Sequence, residues 1–157
     1  MNRDGISQGL ALIPSGVFVV AAEDNGQRAA MLASFVQQSG FDPPSVTVAV
    51  NSDRPLLAAI KNSRRFAIST MSAESKDSLK RFWQGVPEGT DPFDGLLTET
   101  HETGIPILKD AVAFLECELD ETLDAGDHVV CIGRVINGGR ILENEPMVRI
   151  RKDGFEY

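Results

Sequence analysis

Three groups of polar residues in this sequence have the types and spacing to bind or act on a ligand. The run Met31–Ser39 combines small residues, which let a flat ligand approach the backbone, with hydroxyl and amide side chains that can hydrogen-bond to it. The segment Asn51–Arg54 precedes a predicted helix, whose free amides and dipole attract anions, and Arg54 adds a formal positive charge. The third group, Gly126–His128, is a turn that leads into a predicted strand. Each group also has a plain structural interpretation: a solvated strand end, a helix cap and a hairpin turn.

The motifs of several large enzyme classes are missing from the sequence. It contains no G-x-x-x-x-G-K-[ST], G-x-G-x-x-G, H-E-x-x-H or C-x-x-C, which counts against P-loop NTPases, Rossmann dehydrogenases and zinc enzymes. One G-x-S-x-G match, Gly5–Gly9, is not preceded by a predicted strand, so it does not indicate the nucleophile turn of common serine hydrolases. The two histidines are too far apart in sequence to indicate a zinc site, and we expect Cys117 and Cys131 to be unreactive core residues. No metal is therefore predicted.

Composition and charge limit the choice of partners. The 157 residues include 15 Lys and Arg against 23 Asp and Glu, so the formal net charge is −8. This balance counts against nucleic acid and anionic membranes as partners, and a phosphate-bearing ligand would need a local positive site. The longest apolar run, Val17–Ala22, is far shorter than the roughly 20 residues of a membrane-spanning helix. With no signal-peptide pattern, we expect a cytoplasmic protein folded as one unit over residues 1–157.

Hydrophobic patterning predicts a mainly β fold with short helices. Asn25-Gly26 is typical of a tight hairpin, here between strands over residues 16–22 and 27–34. Pro55 suits the first turn of a helix over residues 55–62, which Ser52 or Asp53 would cap. Further strands are predicted over residues 45–50, 65–71, 111–123, 128–137 and 147–151, and a second helix over 75–83. Such a run of strands favours a small antiparallel barrel.

Two further expectations concern exposed segments. Residues 85–105 carry Gly and Pro with little periodicity, so we predict a long surface loop, which is usually a lid, a binding loop or a partner contact. Leu115, Cys117 and Leu119 alternate with acidic residues, so Glu116 is expected on the solvent face of its strand.

Ten stretches of the chain, taken in order, resemble the flavin reductase-like family, whose members adopt an FMN-binding split β-barrel with Greek-key order. They are Ile13–Val20, Met31–Ser34, Phe41–Pro44, Val48–Asn51, Ser63–Ala67, Arg81–Gly85, Gly104–Leu108, Ala113–Cys117, Ala125–His128 and Gly133. The resemblance implies a homodimer with a flavin near the subunit interface. It also implies reduction of FMN, with FAD as the alternative, by NADH or NADPH as co-substrate. A monooxygenase or another electron acceptor would be the partner.

The resemblance also implies roles for particular residues. It places Met31, Leu32, Ala33 and Ser34 along the edge of the isoalloxazine ring. It assigns Gln37, Gln38, Ser39, Asn51, Ser52 and Arg54 to the ribityl chain and phosphate. It places His128 near the flavin and the nicotinamide, as the catalytic candidate that positions them. Asp127, as the neighbour of His128 in sequence, is expected to point the opposite way if the strand has already begun there, and it is not assigned as the orienting partner of His128.

Two departures from the family pattern keep a second hypothesis open. Leu32 stands where the family often has Thr or Ser, and Arg149 stands where it often has an aromatic residue. The first hypothesis is an NAD(P)H:flavin oxidoreductase, which His128 favours. The second is an FMN-binding electron-transfer or accessory protein without NAD(P)H activity of its own, which Leu32 and Arg149 favour. A third is a β-barrel interaction module with no cofactor.

Overall fold

A computed structural model describes residues 1–157 as a mainly antiparallel β protein with three short helices. The helices are α1 (Arg3–Ala11), α2 (Pro55–Ser63) and α3 (Lys76–Trp83). The strands are β1 (Ser15–Gly16), β2 (Phe18–Asp24), β3 (Gln27–Ala33), β4 (Val36–Phe41), β5 (Pro44–Asn51), β6 (Arg65–Thr70), β7 (Thr98–Glu99), β8 (Ile107–Leu108), β9 (Ala113–Ala125), β10 (His128–Arg140) and β11 (Val148–Arg149). No helix has the length and apolar character needed to span a bilayer.

The main sheet closes on itself between strands that are neighbours in sequence. Its seven strands follow the order β3-β2-β6-β9-β10-β5-β4, so β3 and β4 lie at opposite ends of the order. Only Ser34 and Phe35 separate these two strands, which requires the sheet to curl into a barrel. The carbonyl of Phe35 accepts a hydrogen bond of 3.0 Å from the amide of Ala49 at this seam. The pairings β2–β6 and β5–β10 are the long returns of a Greek-key order, and the predicted barrel is confirmed.

The hairpin between β2 and β3 has the turn that the sequence predicts. Asn25 and Gly26 have φ values of 50° and 81°, the left-handed region that a two-residue turn of this type requires. The register runs from the pair Asp24–Gln27 at the turn to the pair Phe18–Ala33. This register brings the end of β3 to the barrel seam and to the candidate site.

Strand β2 is apolar from Phe18 to Ala22, because both of its faces are buried over Val19–Ala22. Val20 and Ala22 belong to the core inside the barrel, together with apolar residues of α2, β5 and β10. Val19 and Ala21 point the other way, into a second core that includes Phe82 of α3. Successive residues of a strand face opposite sides, so a strand between two cores has no polar face.

The segment over residues 85–105 is largely irregular and mostly exposed, as the predicted surface loop requires, but buried side chains anchor it to the second core. Phe93 and Ile105 are buried in the second core, and the ring of Phe93 meets that of Phe82 edge-on at 5.9 Å. The Arg81 guanidinium donates to the main-chain carbonyls of Asp91 and Pro92. The apolar residues of the segment 85–105 are few and irregularly spaced, so the sequence pattern does not indicate this packing.

Two details of the helices and strands also differ from the prediction. Helix α2 begins at Pro55 as predicted, but neither Ser52 nor Asp53 caps it, because Arg54 is the N-cap residue and makes no side-chain cap bond. Strand β4 was not predicted, since its residues 37–39 are polar. Polar side chains are accommodated here because β4 lies at one end of the strand order and residues 37–39 are exposed to solvent.

Glu116 is fully buried, which corrects the prediction that it faces solvent. Its carboxylate accepts hydrogen bonds from the amides of Glu102 and Thr103, from the Thr103 hydroxyl and from the Asn137 side chain. Burial alone would raise the pKa of Glu116, but these hydrogen bonds outweigh it and hold the pKa below its ordinary value. The buried carboxylate thus connects the end of the segment 85–105 to strands β9 and β10.

We expect Glu116→Gln to lower the free energy of unfolding by about 2–3 kcal/mol, because an amide cannot accept at both positions. The folded-state pKa of Glu116 lies below the ordinary 4.5, so its contribution is complete above about pH 4.5 and is lost as the pH falls through the folded-state value. Urea unfolding between pH 7 and 3 measures both effects. The matched control is Glu118→Gln, whose half-exposed partners are Arg65 and Arg134, with an expected loss below about 1 kcal/mol. Equal losses for the two variants would contradict the account.

Candidate functional site

Two adjoining clefts lie beside strand β3 and the start of helix α2. The larger, of about 690 Å³, is lined by Glu23, Gly26, Gln27, Arg28, Ala29, Ala30, Met31, Arg54, Pro55, Leu56 and residues 86–92. The smaller, of about 350 Å³, is lined by Ala30, Met31, Leu32, Ser34, Arg54, Phe82, Trp83, Gln84, Gly85, Val86, Arg149 and Tyr157. They share Ala30, Met31, Arg54 and Val86, and we call the two together the Arg54 cleft. Their volumes are typical of sites for nucleotide-sized ligands.

Two arginines without carboxylate partners give the smaller part of this cleft a local positive charge. The Arg54 guanidinium is exposed, and no acceptor of the chain binds it. The Arg149 guanidinium lies over the Trp83 ring, 4.7 Å from its centroid, and forms no ion pair. In a chain of net charge −8, these cations are the local positive site that a phosphate-bearing ligand needs.

Four of the residues predicted to contact a ligand line the cleft. Met31, Leu32 and Ser34 border it on β3 and at the barrel seam, and Arg54 borders both of its parts. Ala33 lies between them but is only 4% exposed, with its side chain in the core inside the barrel. Ala33 can therefore contribute to the site only through its backbone.

The polar residues of β4 lie apart from the Arg54 cleft. Gln37, Gln38 and Ser39 are exposed and line neither of its two parts. The side chain of Gln38 donates to the carbonyl of Gly40 at 3.3 Å. The three residues belong to β4, which pairs with β5, whereas β3 pairs with β2. Their predicted contact with the ribityl chain or phosphate stays a prediction.

Asn51 and Ser52 lie beside the turn that carries His128. Asn51 is paired with His128 across β5 and β10, and its side-chain oxygen accepts from the amide of Asp53 at 3.0 Å. The amide of Ser52 donates to the carbonyl of Asp127 at 2.9 Å. Both residues therefore support the turn, and neither lines the cleft.

The imidazole of His128 is held on both sides. Its Nδ1 lies 2.9 Å from a carboxylate oxygen of Asp127, and its Nε2 is hydrogen-bonded to the hydroxyl of Tyr157. The expectation that Asp127 points away is wrong, because Asp127 belongs to the turn before β10, where the alternation of a strand does not apply. The bond to His128 lowers the pKa of Asp127. His128 itself does not line the cleft, so its catalytic role stays a prediction.

The sequence analysis missed Trp83 and Tyr157, which line the smaller part of the cleft. One signal was available: they are the only tryptophan and the only tyrosine of the chain. It also gave no position for residues 86–92, which line the larger part. Arg28 holds this segment through an ion pair of 3.0 Å with Asp91. Residues 86–92 thus border the cleft, which is the position expected of a binding loop, one of the roles predicted for this segment.

The family model of the flavin reductase like domain matches residues 10–154. The chain belongs to the flavin reductase-like domain family. The resemblance in the sequence is confirmed, and with it the split-barrel fold class.

Relatives of this flavin reductase-like domain differ in size. Diflavin flavoprotein A 1 of Synechocystis sp. is 34% identical over 155 residues, which are 97% of this chain and 27% of that protein. The chain thus spans about a quarter of the length of such relatives. The NADH:FAD oxidoreductase SgcE6 of Streptomyces globisporus C-1027 has a TM-score of 0.83 and 27% identity over 94% of this chain and 87% of its own. Flavin reductase HpaC, solved with NADP+, has a TM-score of 0.81 and 25% identity over 96% and 95%.

Proposed function

We propose that this domain is a flavin-dependent oxidoreductase that uses NADH or NADPH to reduce FMN in the Arg54 cleft. The observation that carries the proposal is the cleft itself, in which the unpaired Arg54 and Arg149 guanidiniums flank walls formed by Met31, Leu32 and Trp83. The structural relatives support it, since SgcE6 has been solved with NAD and FAD fragments and HpaC with NADP+.

The lining residues fit the chemical groups of a flavin mononucleotide. Met31 and Leu32 offer an apolar wall for a flat ring, and Ser34 offers a hydroxyl for its polar edge. Arg54 would bind the phosphate through charge-assisted hydrogen bonds. When bound, the flavin supplies the redox chemistry by accepting a hydride from the reduced nicotinamide, which is thereby oxidised. The protein aligns the two rings and excludes water, and no nucleophile or acid–base pair is needed.

Anaerobic mixing with reduced nicotinamide tests the activity. The FMN-loaded protein is expected to lose its visible flavin absorbance on addition of NADH or NADPH, and the faster of the two identifies the co-substrate. FAD in place of FMN tests which flavin the cleft prefers. Retention of the absorbance with both nucleotides, in a protein that dithionite does reduce, would contradict the proposal.

The second candidate function is an FMN-binding electron-transfer domain without NAD(P)H activity. The size of the diflavin relatives favours it, since there the matched region is 27% of a larger flavoprotein. Reduction by dithionite but not by nicotinamide would select this candidate. In either case we propose that the electrons leave for a separate monooxygenase or another acceptor.

We further propose that the domain forms a homodimer. Leu12, Ile13, Val148 and Ile150 are each more than half exposed and flank the small sheet of β1 and β11, where Gly16 pairs with Val148. A second copy would cover this apolar surface.

Light scattering at micromolar concentration is expected to give about twice the 17.0 kDa of one chain. Val148→Asp should give monomers, because it places a charge in the proposed interface. Leu123→Asp, at a residue that is 63% exposed on β9, is the control and should remain dimeric. A parent protein of 17.0 kDa would contradict the proposal.

A further inference from the structure

Three side chains form a hydrogen-bonded series that ends at the Arg54 cleft. Asp127 binds Nδ1 of His128, and Tyr157 binds Nε2 of the same imidazole. The ring of Phe35 contacts both His128 and Tyr157, with centroid distances of 5.6 and 5.5 Å. The guanidinium of Arg151 lies over the ring of Phe35, 5.2 Å from its centroid. The series is thus packed on one aromatic side chain.

Only the last member of the series faces the cleft. The side chain of His128 is 14% exposed, whereas Tyr157 is 52% exposed and lines the smaller part of the Arg54 cleft. A ligand in the cleft would therefore meet the phenol of Tyr157 before it could meet the imidazole. The predicted positioning role of His128 would therefore be exerted through Tyr157.

The chemistry of the imidazole defines the direction of these hydrogen bonds. A carboxylate only accepts, so Nδ1 of His128 carries the proton that it donates to Asp127. In the neutral ring Nε2 then has a free lone pair, which accepts from the hydroxyl of Tyr157. A phenol is protonated at neutral pH and can donate, and burial raises the pKa of Tyr157 further above its ordinary 10.0. Among the neighbouring charges, Asp127 also raises the pKa of Tyr157, whereas Arg54 and Arg151 lower it.

We propose that Tyr157 is the positioning residue through which Asp127 and His128 act on a nucleotide bound in the Arg54 cleft. The inference rests on the proposed function, since it concerns the ligand of the same site. His128 fixes the orientation of the phenol, and the phenol presents a preoriented hydroxyl to the ligand. The resemblance makes His128 a positioning residue for the flavin and the nicotinamide, and in this arrangement His128 acts on them through Tyr157.

Nitrogen NMR of the two histidines tests this contact without any turnover. In the parent with a neutral imidazole, Nε2 of His128 is expected to have the resonance of a hydrogen-bonded, pyridine-type nitrogen, and FMN should shift it. In Tyr157→Phe, which retains the ring but not the hydroxyl, Nε2 should move toward the unbonded value and its response to FMN should be lost. His101 lies outside the cleft and is the internal control in the same spectra.

Reduction by NAD(P)H gives the second measurement. Tyr157→Phe is expected to slow anaerobic flavin reduction by well over tenfold, as His128→Ala does, because His128 acts through the hydroxyl that this variant removes. The FMN dissociation constant should change by less than about twofold, the pattern of a lost positioning contact. An unchanged Nε2 resonance in the variant, or an unchanged rate, would overturn the inference. If the parent protein does not reduce FMN at all, the proposed function fails, and the response of His128 to FMN then decides the inference separately.

Discussion

Arg54→Ala is expected to weaken FMN binding by about ten- to a hundredfold and to leave riboflavin binding nearly unchanged. Charge-assisted hydrogen bonds to a phosphate contribute roughly 1.5–3 kcal/mol, and riboflavin has no phosphate to accept them. Because the Arg54 guanidinium is exposed and has no partner in the chain, its removal breaks no contact of the fold. Trp83, the only tryptophan, lines the same cleft, so quenching of its fluorescence reports binding directly.

A matched arginine shows whether the effect is specific to the cleft. Arg140 pairs with Glu143 and lines neither part of the Arg54 cleft, so Arg140→Ala should change both affinities by less than about twofold. Equal losses of FMN and riboflavin affinity in Arg54→Ala would contradict the phosphate assignment. That result would mean that Arg54 acts through folding or through the ring.

His128→Ala is expected to slow NAD(P)H-driven reduction by well over tenfold, with less than about a fivefold change in FMN affinity. The substitution removes the imidazole that holds Tyr157 and leaves the carboxylate of Asp127 without its partner. Alignment of the two rings matters most on the way to the transition state, so the loss should appear in the rate and not in the affinity. Anaerobic stopped-flow reduction and Trp83 quenching measure the two quantities.

The outcomes of this substitution separate three interpretations of His128. His101→Gln, at the other histidine of the chain, is the control and should retain the parent rate. A parent rate in His128→Ala would make His128 a turn residue of purely structural importance. A large loss of FMN affinity would place it in the cofactor site and contradict the division of roles between Arg54 and His128.

Local signals in the sequence were sufficient for the elements that position the site. Asn25-Gly26 determines a two-residue hairpin through its backbone preferences, and Pro55 determines the start of α2 through its fixed φ. Arg54 was found because a cation next to a helix start is visible in the sequence itself. These features depend on neighbours within a few residues, so no tertiary contact was needed to predict them.

The features that the sequence did not reveal depend on distant contacts. Glu116 alternates with apolar residues like a solvent-facing residue, but Thr103 and Asn137 supply its buried partners. Tyr157 reaches His128 across 29 positions, and nothing in the pattern around either residue indicates that contact. The position of Gln37–Ser39 outside the cleft depends on the pairing of β4 with β5, which no local pattern in the sequence indicates.

The structure of the FMN complex tests the central claim most directly. The account predicts the flavin ring in the Arg54 cleft beside Met31, Leu32 and Trp83, with its phosphate hydrogen-bonded to Arg54. Solution of the complex by crystallography would locate both groups in one experiment. A flavin whose phosphate lies instead on the exposed residues Gln37–Ser39, away from Arg54, would contradict the account.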